Sequence, residues 1–140
     1  MRRARNEIAP GLLAAVLLAA LSLGASGCGK ALAETFVEVT AADLPVSQRL
    51  TGDRWQSSDF PPLAAGDRWI SFPGRVHLKV HHPLPAKPTA LLVYIAFDAS
   101  GVGGTLASGN VARIEAVGDD GTVTIQNATD EDFFVRLALE

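Results

Sequence analysis

Only one cysteine and one methionine occur among the 140 residues, and the methionine is Met1. A disulfide-stapled scaffold is excluded, because one thiol cannot close an intrachain bridge. Metal sites built from several thiolates or thioethers are excluded with it. Aromatic residues make up 6% of the chain, which leaves few side chains for a stacking platform. Positive charge is also scarce: 12 Lys and Arg stand against 15 Asp and Glu, a net of −3. Setting aside the first 27 residues, which carry Arg2, Arg3, Arg5 and Glu7, leaves nine basic and 14 acidic groups, a net of −5. Phosphate backbones are held by clustered cations, so no nucleic-acid partner is expected. The longest apolar run, residues 12–23, has twelve residues broken only by Ser22. As a helix it would reach ~18 Å, short of the ~30 Å hydrocarbon core of a bilayer.

What the N-terminus does hold is an ordered series. Three arginines lie in residues 1–7, the apolar run follows, and Ala25-Ser26-Gly27 leads into Cys28, the single cysteine. A basic start, a short apolar stretch and small residues are the features of an export signal. The run Ala25-Ser26-Gly27-Cys28 resembles the lipobox of bacterial lipoproteins, although leucine is commonest where Ala25 stands. The resemblance implies cleavage before Cys28, lipid on its thiol, and attachment to a membrane that the chain does not cross. Two or three acyl chains give stable anchoring, since each buried methylene contributes ~0.8 kcal/mol. Gly29 follows the cysteine, where an aspartate tends to retain such proteins in the inner membrane. The implied location is therefore the cell envelope, at the outer membrane, facing the periplasm or the cell surface. The chain divides into a signal peptide (1–27), a short lipid tether (28–34) and one domain (35–140).

Within that domain the apolar spacing is that of strands rather than helices. Residues 35–40 and, less regularly, 46–50 read as strands, and residues 53–66, with two prolines and no period, read as a long loop. Residues 68–72 and 75–81 flank Pro73-Gly74, a turn dipeptide. In the second of these Val76, Leu78 and Val80 alternate with His77, Lys79 and His81, the pattern of a half-buried strand. Residues 89–97 are apolar at every position but the first, as in a strand covered on both faces. Residues 111–117 and 122–126 flank Gly118-Asp119-Asp120-Gly121, a hairpin signal. Ala112, Ile114 and Ala116 are expected inside with Val123 and Ile125. Residues 133–139 close the chain with Phe133, Val135, Leu137 and Leu139 on one side. About eight strands without a helix predict an all-β fold, an antiparallel β-sandwich of immunoglobulin-like size, with a small β-barrel as the alternative. The stretch 80–97 also resembles a segment of β-sandwich domains of lectin and phage-tail type, and no ligand site follows from it.

Few residues invite chemistry. His77, His81 and His82 are the only histidines. His77 and His81 share a strand face at ~13 Å, too far for one metal without a bend. They are the candidate metal ligands, weighed against the simpler reading of solvated strand-face histidines. Trp55, in the expected loop, is the candidate for stacking on a glycan or peptide; Trp69 and Tyr94 are expected in the core. Asp119-Asp120 and Asp130-Glu131-Asp132 lack the alternating spacing of a calcium loop and read as turn residues. The glycine-rich stretch 101–109 lacks a phosphate-loop lysine, and Asn127-Ala128-Thr129 is assigned to a turn. No nucleophile elbow, metalloprotease helix or cofactor motif is present. The expectation is a non-enzymatic envelope lipoprotein, held to the membrane through lipid on Cys28, that binds an envelope protein. A small glycan- or peptide-binding module is the alternative, and a His-based metal protein or enzyme ranks below both.

Overall fold

The structure, a computed structural model, describes residues 34–140. These form one compact unit; the expected signal peptide, Cys28 and most of the expected tether lie outside the described residues. The chain order is β1 (Thr35–Val39), β2 (Arg49–Thr51), β3 (Arg54–Gln56), β4 (Ile70–Phe72), β5 (Val76–His81), β6 (Leu91–Ala96), β7 (Thr105–Leu106), a 3-10 turn (Gly109–Val111), β8 (Arg113–Val117), β9 (Thr122–Gln126) and β10 (Phe133–Leu139). One sheet has the order β1-β5-β9-β8, and the other β2-β3-β10-β6-β7 with β4 also on β10. The fold is a two-sheet β-sandwich, not a closed barrel.

Alternation explains why these segments pair as they do. Leu78 and Val80 from β5, Val123 and Ile125 from β9, and Val135, Leu137 and Leu139 from β10 are all buried in one core cluster with Trp55, Phe72, Val93 and Ile95. Each such side chain contributes about 1.5–3 kcal/mol by leaving water. β10 is the keel of the larger sheet. β6 lies along one of its edges from Phe134↔Ala96 to Leu139↔Leu91. β4 and β3 share the other edge, β4 against its first half and β3 against its last two residues.

Three expectations are corrected. First, the sandwich is not wholly antiparallel, because β1 pairs with β5 in parallel, from Thr35↔Val76 to Val39↔Val80. Parallel neighbours need a long crossover, and here the chain between them visits the other sheet, laying down β2, β3 and β4 before returning. Second, residues 53–66 are not all loop, since β3 occupies three of them. Third, Ile114 and Ala116 are exposed while Ala112 is buried. β8 is an edge strand whose register against β9 slips between Ile114 and Ala116, so alternation does not carry its side chains into the core.

Candidate functional site

The two tryptophans occupy different cores. Trp55 is fully buried in β3, tilted against His82, with its indole N–H donating to Gln48 Oε1 at 3.4 Å. It is therefore a packing residue, and the expectation of an exposed stacking surface in the loop is overturned. Trp69 is buried in a smaller cluster on the outer face of the larger sheet, where residues 57–69 fold back over β6 and β10. Its N–H donates to the Asp59 carbonyl at 3.2 Å, and Phe60 meets both Trp69 and Tyr94 edge-on. Beneath them lies Arg136, fully buried although charged. Its guanidinium sits 3.9 Å from the Phe60 ring centre and donates to the Ser58 carbonyl at 2.8 Å and to Gln56 Oε1 at 2.5 Å. Burial pushes the Arg136 pKa down, and Tyr94 and Asp59 act in the opposite sense. Arg136 was not singled out by sequence, because one arginine in an alternating strand reads as solvent-facing.

The histidine strand also differs from its expected solvated face. His77 is buried, stacked under Phe36 with ring centres 4.5 Å apart. Its Nδ1 lies 2.6 Å from Glu115 Oε2 and its Nε2 3.1 Å from Gln126 Nε2. His81 instead meets Glu38 Oε1 at 2.6 Å, and this hydrogen bond holds the Glu38 carboxyl below its ordinary pKa. His77 thus has two carboxylates, Glu115 at Nδ1 and Glu34 at 3.5 Å from Nε2, and His81 has one; among the described residues no three His, Cys, Asp or Glu side chains are grouped so that they could hold a metal ion. These pairs instead join strands: Phe36 and Glu38 lie on β1, His77 and His81 on β5, and Glu115 on β8.

The acidic runs secure turns. Asp130 pairs with Arg75 at 2.7 Å, which holds its carboxyl low, and Asp132 accepts from the Gly74 N–H at 2.9 Å. Thr122 donates to Asp120 at 2.6 Å and lowers that carboxyl likewise. Asn127 is buried, its amide nitrogen directed at the carbonyls of Phe72, Pro73 and Glu131 and its oxygen accepting from Thr129. It ties the β4–β5 turn to the β9–β10 connection, a link beyond the turn expected of the Asn-Ala-Thr segment.

Concavities among the described residues include one of about 200 Å³ beside Leu84, Pro85 and Lys87 and two that are larger. The larger of these, about 560 Å³, lies between residues 43–46 and 66–71. Its carboxylates are already engaged, Asp67 by the Ser47 hydroxyl and Asp43 by the Thr40 N–H and hydroxyl. The smaller, about 320 Å³, is an apolar groove at the side of the sandwich where β7 ends one sheet and β8 ends the other. Leu92, Leu106 and Ile114 line it and are 45%, 57% and 49% exposed. Large apolar side chains here lie beside a strand edge that has no partner among the described residues, the kind of surface on which other chains dock. Sequence reasoning missed it because it joins residues from β6, β7 and β8, each ordinary alone. No protein family, curated protein or solved structure matches this chain.

Proposed function

We propose that the protein is a lipid-anchored lipoprotein of the cell envelope whose β-sandwich works by binding another protein, without catalysis. The observation that carries the anchoring is the series of basic start, short apolar run and Ala25-Ser26-Gly27-Cys28, set six residues ahead of the compact unit that begins at Glu34. A tether from Gly29 to Glu34 reaches ~20 Å when extended, which keeps the domain near the bilayer. The apolar groove of Leu92, Leu106 and Ile114 supports protein binding. Glycan binding loses its main support with the burial of Trp55.

Metabolic labelling of the full chain with a clickable fatty acid tests the anchor. The expected result is a labelled, membrane-associated product whose processing is blocked by globomycin, with both label and membrane association lost in Cys28→Ser. An unlabelled, soluble chain of mature length would overturn it. For the binding role, photo-crosslinkers placed at Leu106 are expected to capture protein in membranes, and crosslinking confined to lipid counts against that role.

A further inference from the structure

We infer that the groove beside β8 is covered by a second copy of this chain, the two β8 strands pairing antiparallel about a two-fold axis at Ile114. This deepens the reading of the domain as protein-binding by naming the partner. Among the described residues β8 has β9 on one side and no strand on the other, so its outer edge is a row of backbone donors and acceptors open to pairing. Two identical strands that pair antiparallel about residue 114 place Arg113 opposite the partner's Glu115, and Glu115 opposite the partner's Arg113. The strand is therefore self-complementary in charge, as a two-fold interface requires. Ile114 meets its own symmetry mate, and the apolar linings of Leu92 and Leu106 are brought together behind it.

The other edges do not have this property. β2 has three residues and β7 two, too short for a stable pairing. β1 is long enough, but antiparallel self-pairing about Phe36 would set Glu34 opposite the partner's Glu38, a like-charge contact repeated twice. The register slip at Glu115 bends β8 without covering its edge. Arg113 makes a hydrogen bond to Asn110 at 3.1 Å, a neutral contact that leaves its charge available to a carboxylate. Glu115 meets His77 Nδ1 through Oε2 at 2.6 Å, so it is the Oε1 side of its carboxylate that would take the partner's Arg113.

The test is sedimentation of the lipidated full chain in detergent, with the charge-reversal variants Arg113→Glu and Glu115→Arg. The unsubstituted chain is expected to sediment as a dimer. Either substitution alone sets like charges opposite each other at both contacts and is expected to weaken the dimer more than about tenfold. Mixing the two variants restores opposite charges, so a heterodimer is expected where neither variant pairs with itself. Circular dichroism identifies a variant that fails to fold, and Ile114→Cys, captured by a short bismaleimide in membranes, supplies an independent readout of the same axis. A monomeric unsubstituted chain, or variants that do not recover on mixing, would overturn the inference. Capture of a different envelope protein by that monomer leaves the proposed function standing, and crosslinking to lipid alone sinks both.

Discussion

His82 follows the last residue of β5 and turns inward against Trp55, and among the described residues neither of its ring nitrogens has a hydrogen-bond partner. Burial pushes its pKa down, with the Asp120 charge acting against that shift and His81 adding to it. The folded state thus holds a neutral imidazole where the unfolded chain takes up a proton near pH ~6.5. Below that pH the unfolded state binds more protons, so stability falls as pH drops, until the lowered folded pKa is reached. His82→Phe is expected to flatten this limb of a denaturation-midpoint profile while leaving the carboxylate limb below pH ~4 in place. An unchanged slope between pH 7 and 5 would refute the assignment. Trp55 belongs to the same contact, and Trp55→Ala is expected to cost about 3–5 kcal/mol in urea denaturation. Full stability retained with lost ligand binding would instead restore Trp55 as a recognition residue.

The turns and strands carry the next set of constraints. At Gly74 a Cβ would stand 2.7 Å from the backbone carbon and oxygen of Asp130, so the β4–β5 turn fits only a glycine. Gly74→Ala is expected to lower stability by roughly 1–3 kcal/mol, measured by thermal melting; an unaltered melting temperature would mean that the two turns can separate freely. Much of this level was legible beforehand. β5, β9 and β10 follow from alternation alone, since Val76-Leu78-Val80, Val123-Ile125 and Val135-Leu137-Leu139 each put three or two apolar side chains on one face. β3 and β7 were not legible, because three or two residues contain no period. The parallel direction of β1 and the exposure of Ile114 were not legible either, since both depend on which strand lies beside them, a long-range fact. Of the candidate site residues, His77 and His81 do face the outer side of the sheet, but His77 is covered by Phe36, and Trp55 is inside.

Across the whole described domain, the two sheets share one core, in which Val39 and Val80 from one sheet join Trp55, Leu137 and Leu139 from the other. The smaller cluster around Trp69 and Arg136 rests on the back of β6 and β10, with Gly101 and Gly104 close against the Trp69 ring and Gln56 of β3 accepting from Arg136. A single cooperative transition is therefore expected, with calorimetric and van't Hoff enthalpies equal. Two resolved transitions would mean that the residue 57–69 covering melts independently. No helix among the described residues is long and apolar enough to cross a membrane.

The parallel seating of β1 has a mechanical meaning. Tension applied ahead of Thr35 and directed along the strand loads all five paired positions between β1 and β5 together, in shear, instead of peeling them one after another. The Glu38–His81 pair and the Phe36–His77 stack cross that same seam and must slide with it. The first strand thus serves as a strain relief, sparing the core behind it from forces that arrive through the N-terminal segment.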